Sequence, residues 1–131
     1  MIIGIGIDLI EVRRVKALLN KPNLGRIFTA LEIRYCRRKK NPAESFAARF
    51  AAKEAFLKAI GTGWGTRQSP NWNEIEVIRH PASGIRHPQP VSLILSGKAK
   101  SICQKLKVIR TYLSLTHTKD YAMAVVILEG K

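Results

Sequence analysis

Ile2 to Ile7 is a short apolar run broken by Gly4 and Gly6, the pattern of a buried strand, and Asp8 ends it. Leu9, Val12, Val15 and Leu19 then recur at helical spacing while Arg13, Arg14 and Lys16 lie off that stripe, which predicts a helix over 9–19 stopped by Pro22. Thr29-Ala30-Leu31-Glu32 has the form of a capping box, so a second helix is predicted over 30–39. Its tail, Arg37-Arg38-Lys39-Lys40, sets four cations against the negative end of the helix dipole. Asn41 is a candidate N-cap and Pro42 fits a first helical position, so the longest helix is predicted over 42–60, with Phe46, Phe50, Leu57 and Ile60 on one stripe. Gly61-Thr62-Gly63-Trp64-Gly65 ends it. Strands are predicted over 74–79 and 91–95 on either side of a proline-rich turn region, followed by a helix from Ser96 to about Val108. Residues 112–116 and 121–128 form a hairpin across Thr118-Lys119-Asp120. Several helices with a mostly antiparallel sheet packed against a long central helix make the fold class α+β. With no internal repeat or low-complexity segment, a single domain is expected over residues 1–131.

Charge changes this picture most. Lys and Arg number 23 against 9 Asp and Glu, a formal charge of +14, which predicts an anionic partner. No apolar run approaches the roughly 20 residues of a membrane span, and no membrane partner is expected. The opening residues lack the basic n-region of a signal peptide, so a cytoplasmic protein is expected. Cys36 and Cys103 lie far apart and form no CxxC pair, which argues against a structural zinc site and a disulfide scaffold.

Two carboxylates carry the candidate chemistry. Asp8, where strand meets helix, reads either as an N-cap or as a rigidly mounted ligand for a hard cation. Glu54 lies at the edge of the apolar stripe and needs a partner. That partner is either a neighbouring cation (Lys53, Lys58 or Arg49) or a magnesium ion shared with Asp8, with phosphate oxygens and waters completing its shell. Arg49, Lys53 and Lys58 form either a solvated helix face or, beside a bound pyrophosphate, a phosphate clamp. Gly61-Thr62-Gly63 permits close backbone approach to a ligand, though glycine also ends helices. Gly4-Ile5-Gly6 does not extend to a dinucleotide fingerprint, because the third glycine would fall at Leu9. His117 reads as structural, or as a phosphate contact or proton carrier beside such a site. His80 and His87 carry no assignment, and Trp64 and Trp72 read as anchors of the intervening loop rather than as base-stacking platforms.

Three blocks resemble the holo-acyl-carrier-protein synthases, the small phosphopantetheinyl transferases of bacterial fatty-acid synthesis. They are Gly4-Ile-Gly-Ile-Asp8-Leu-Ile-Glu11, the stretch Arg49-Phe-Ala-Ala-Lys53-Glu54-Ala-Phe-Leu-Lys58-Ala-Ile-Gly61-Thr-Gly63, and Leu113-Ser-Leu-Thr-His117-Thr-Lys-Asp-Tyr121-Ala. Their order and spacing match the family over nearly the whole chain. The resemblance implies a phosphopantetheinyl transferase fold and magnesium-dependent transfer of phosphopantetheine from coenzyme A to a serine of acyl-carrier protein, with adenosine 3',5'-bisphosphate leaving. It implies Asp8 and Glu54 as metal ligands, and Arg49, Lys53, Lys58, Gly61 and His117 around coenzyme A. Arg13 and Arg14 would dock the acidic carrier, and the chains would form homotrimers with sites at subunit interfaces. Glu54, a metal-bound water or His117 would serve as the base. Tyr112 stands where many members have His, so that residue's role does not carry over, and the stretch 81–90 is longer and richer in proline than usual.

Two other readings fit less well. A nucleic-acid-binding module would interleave basic and aromatic residues, and this chain does not, so no nucleic-acid partner is expected. A magnesium nuclease would have a lysine close behind Glu54, where Ala55 and Phe56 stand and Lys58 lies a full turn on.

Overall fold

A computed structural model describes residues 1–61, 67, 69–80 and 90–131. The first strand, β1, runs Ile2–Glu11, four residues beyond the apolar run that predicted it. It pairs antiparallel with β5 (Tyr121–Gly130) through Asp8↔Ala124 and Leu9↔Met123 to Glu11↔Tyr121. This ladder claims residues 9–11, the first part of the expected 9–19 helix, and a short helix, α1 (Val12–Lys16), follows it. Asp8 therefore lies inside a strand and is not an N-cap. Leu9, at the head of the expected helical stripe, is 64% exposed on the outer face of the sheet.

A short helix the pattern did not show, α2 (Leu24–Ile27), buries Leu24 and Ile27. The next, α3 (Ala30–Arg37), begins with the expected capping box: Glu32 N–H donates to Thr29 Oγ1 at 3.2 Å and Thr29 N–H donates to Glu32 Oε1 at 2.9 Å. The long helix α4 (Pro42–Ile60) has the predicted bounds, although the Asn41 side chain makes no capping bond. Its Gly61 cap takes φ 78°, the left-handed region that glycine enters without steric cost. The single apolar stripe is a correction: Phe56 and the alanines 47, 48, 51, 52 and 55 are buried while Phe50 and Ile60 are only half-buried. A helix enclosed by sheet on one side and other helices on the next needs small or apolar residues almost all round.

After a 3-10 turn at Trp72–Glu74, β2 (Ile75–Arg79) and β3 (Val91–Leu95) pair antiparallel as a two-stranded sheet. Helix α5 (Gly97–Lys105) follows without a side-chain cap from Ser96, and ends earlier than predicted because Lys107 turns the chain at φ 59° into β4 (Val108–His117). Strands β1, β5 and β4 form a three-stranded sheet in that order, all antiparallel, and its inner face lies on α4. Two apolar clusters meet at Ile10, Trp72 and Leu115. No described helix is long and apolar enough to cross a membrane.

Gly4 and Gly6 set the distance between β1 and α4. A Cβ at Gly6 would lie 1.9 Å from the Ala55 carbonyl oxygen, and one at Gly4 would lie 2.3 Å from that of Ala59. Hydrogen side chains allow strand and helix backbones to touch. By strand alternation Gly4, Gly6 and Asp8 face α4, while Ile5, Ile7 and Leu9 face outward and are 64%, 58% and 64% exposed.

Candidate active site

The close approach brings Asp8 of β1 beside Glu54 of α4. Both line one cavity of about 360 Å³, with Leu9, Ile10, Arg14, Phe50 and Trp72. Lys58 Nζ donates to Asp8 Oδ1 at 3.1 Å and to the Ile7 carbonyl at 3.0 Å. Trp72 Nε1–H donates to Glu54 Oε1 at 3.2 Å. Burial, and after it the negative charge of Asp8, raises the Glu54 pKa, while the Trp72 bond and Lys58 pull the other way. Two acidic groups thus repel across one cavity, which a divalent cation between them would relieve. No group of three or more His, Cys, Asp or Glu side chains suited to a metal occurs among the described residues. A cation here would draw on two carboxylates, with water and substrate oxygens for the rest; this donor set suits magnesium.

A second cavity, of about 600 Å³, opens on another side of α4. Tyr35, Lys39, Glu44, Arg49, Arg79, Thr116 and His117 contribute to its lining. Arg49 is 3% exposed, lies over the Tyr35 ring at 4.2 Å, and its Nε has no hydrogen-bond partner among the described residues. A buried guanidinium N–H without an acceptor, in a cavity shared with Lys39 and Arg79, is suited to an anion. Burial would raise the Tyr35 phenol, yet Lys39, Arg79 and Arg49 together bring its pKa below the ordinary value. His117 Nδ1 lies 3.2 Å from Glu44 Oε1.

The sequence-predicted residues therefore divide. Asp8, Glu54 and Lys58 come together, and Arg14 joins them at the same cavity. Arg13 points to solvent and donates to Glu11 at 2.7 Å. Arg49 and His117 share the cationic cavity, so within one chain His117 is not beside the carboxylates. Gly61 is a left-handed helix cap, while Thr62, Gly63, Trp64 and His87 lie outside the described residues. Tyr112 donates to Glu129 Oε1 at 3.2 Å and lines neither cavity. His80 Nε2 pairs with Ser92 Oγ at 2.7 Å.

Lys53 is a correction. Its side chain is fully buried and its ammonium donates to Glu32 Oε1 at 2.8 Å, to the Trp72 carbonyl at 3.0 Å and to the Ile75 carbonyl at 2.5 Å. All three donors of a lysine are thereby used, so this residue clamps the core and is not a phosphate contact. Glu32, whose other oxygen accepts from Val77 N–H at 2.9 Å, was missed as its partner. Tyr35, Lys39, Arg79 and Thr116 were also missed as cavity residues. The run 37–40 held the one available signal, a cation cluster that included Lys39.

Residues 4–126 match the family described as the 4'-phosphopantetheinyl transferase superfamily. The holo-[acyl-carrier-protein] synthase of Koribacter versatilis is 47% identical over 132 residues, spanning 98% of this chain and 99% of the relative. That of Solibacter usitatus is 45% identical over 133 residues, 99% of this chain and 100% of the relative. A solved holo-(acyl-carrier-protein) synthase from Bacillus anthracis in complex with CoA (3',5'-ADP) superposes with a TM-score of 0.76 at 37% identity, covering 100% of this chain and 99% of that one. With its antiparallel sheets, its long helix and these relatives matched end to end, the chain belongs to the 4'-phosphopantetheinyl transferase superfamily, in its holo-[acyl-carrier-protein] synthase branch of enzymes.

Proposed function

We propose that this enzyme transfers the 4'-phosphopantetheine arm of coenzyme A to a serine of apo-acyl-carrier protein, with magnesium held by Asp8 and Glu54. The observation that carries the reading is the convergence of those two carboxylates, from β1 and α4, on one cavity flanked by Lys58 and Arg14. A bond forms from the serine oxygen to the phosphorus nearer pantetheine, and the bridging P–O bond breaks to release adenosine 3',5'-bisphosphate. Magnesium, when bound, supplies charge neutralisation on the pyrophosphate. Glu54 accepts the serine proton on its carboxylate. Lys58, with its side chain 56% exposed beside Asp8, meets phosphate oxygens. Arg49 and His117 bind a phosphate of coenzyme A in the cationic cavity. Arg14, with Arg13 on the same helix, draws the acidic carrier to the carboxylates, and the +14 charge speeds that encounter.

Among the described residues, the carboxylate and cationic cavities share no lining residue. Arg49 and Glu54, five residues apart, project from α4 about 140° apart at 100° per residue. One coenzyme A is proposed to meet the carboxylates of one chain and the cationic cavity of another. The uncovered apolar residues Ile5, Ile7 and Leu9 support such self-association, and a homotrimer is the assembly proposed.

The test is mass spectrometry of a purified apo-carrier protein incubated with coenzyme A. A gain of one phosphopantetheine should appear with magnesium and vanish with a chelator, with Asp8→Asn and with Glu54→Gln. Full modification by either variant would refute the metal assignment, and no gain with any carrier would refute the reaction.

A further inference from the structure

Trp72 is tied at two points to consecutive residues of α4. Its main-chain carbonyl accepts from Lys53 Nζ at 3.0 Å, and its indole N–H donates to Glu54 Oε1 at 3.2 Å. Its ring rests against Phe50, centroids 5.5 Å apart, and lines the cavity that holds Asp8 and Glu54. Lys53 is itself fixed, fully buried between Glu32 and the Ile75 carbonyl. A glutamate needs such support: its terminal torsion is broad, so an unrestrained carboxylate samples many orientations. One N–H on Oε1 stops that rotation and leaves the other lone pairs of both oxygens for a cation.

We propose that Trp72 is a positioning residue, whose indole N–H orients the Glu54 carboxylate for a divalent cation and whose backbone is held in place by the Lys53 ammonium. The inference rests on the reading of Asp8 and Glu54 as the cation site. Partners that orient a ligand in this way typically change metal affinity by about 10- to 100-fold when removed. Only the N–H matters to this role; the ring's packing on Phe50 is separate from it.

Trp72→Phe keeps an aromatic ring and removes the donor. Binding of Mn²⁺ to the free protein, followed by electron paramagnetic resonance, should weaken about tenfold. The magnesium concentration for half-maximal carrier modification should rise likewise, with kcat at saturating magnesium changing less. Unchanged Mn²⁺ affinity in a folded Trp72→Phe protein overturns the proposal. If that variant does not fold, Trp64→Phe labelled with 5-fluorotryptophan leaves one fluorine, at residue 72. Its resonance should move on adding Mg²⁺ and stay still in the same protein carrying Glu54→Gln; no movement with Mg²⁺ overturns the proposal. If the unmodified protein binds no Mn²⁺, the two-carboxylate site has failed and the role of Trp72 falls with it. Binding that is lost in Asp8→Asn but unaltered in Trp72→Phe leaves the site standing and removes only Trp72.

Discussion

Gly6→Ala tests how the backbone sets the active site. The new Cβ would lie 1.9 Å from the Ala55 carbonyl oxygen, 2.7 Å from Ala59 N and 2.9 Å from the Ala55 carbonyl carbon. Ordinary contact is nearer ~3.5 Å, so β1 must retreat from α4 by roughly 1.5 Å. The obstacles are main-chain atoms of a helix, which cannot change rotamer. Gly6 does not have positive φ, so the effect is steric and not a matter of backbone preference. Overpacking costs about 1–3 kcal/mol, and this case belongs at the upper end, about 3 kcal/mol. For a domain of this size that lowers Tm by about 10 °C, readable by differential scanning calorimetry. Asp8 is two residues along the strand and Glu54 adjoins Ala55, so the carboxylates separate and Mn²⁺ binding should fall by at least about tenfold. Gly25→Ala is the control, since nothing lies within 4 Å of its Cβ position, and it should leave Tm within about 2 °C. A Gly6→Ala protein with parental Tm and parental Mn²⁺ affinity would refute the claim that this contact spaces the site.

Two further perturbations probe the interior. Lys53→Met leaves Glu32 charged, buried and without its ammonium, a loss of about 3–5 kcal/mol; urea unfolding should show it, and adding Glu32→Gln should recover part of it. Burial pushes the Cys36 thiol from 9.0 up to about 11, so the folded protein keeps a proton that the unfolded chain releases. The resulting stabilisation is present in full below about pH 9 and is lost as pH rises towards 11, a span of roughly 2–3 kcal/mol. Urea midpoints should therefore fall over that window more steeply for the parent than for Cys36→Ala; parallel curves would contradict the assignment.

The legible parts of the fold were those coded locally. Thr29 and Glu32 cap α3 as their spacing predicts, and Pro42 with Gly61 bounds α4. The failure at β1 has a physical cause. Its inward positions from Gly4 to Asp8 carry no apolar side chain, with only Ile10 packing inward, while Ile5, Ile7 and Leu9 lie outside, so the usual relation of hydrophobicity to burial is inverted over that stretch. Leu9, Val12 and Val15 mimic a helical stripe although Leu9 sits on the outside of a sheet. Asp8 and Glu54 were legible as a pair through the blocks around them, while their neighbour Trp72 was read only as a loop anchor. Lys53 and Lys58 look alike in sequence; one is buried against Glu32, 21 positions away, and the other is half exposed beside Asp8. A linear pattern carries no mark of that difference. The cationic cavity was harder to foresee, because it gathers Tyr35, Arg49, Arg79 and His117 from four separate elements.

The Lys53 clamp also bears on how the chain finds its native arrangement. Its three acceptors belong to α3, to the 3-10 turn and to β2, and none is supplied by α4 itself. Collapsed forms with α3 docked one turn out of register, or with the small sheet shifted along the long helix, strand a positive charge in a greasy interior. Such decoys are disfavoured whatever their hydrophobic contacts, so a single internal ammonium discriminates among otherwise comparable packings of this alanine-rich helix.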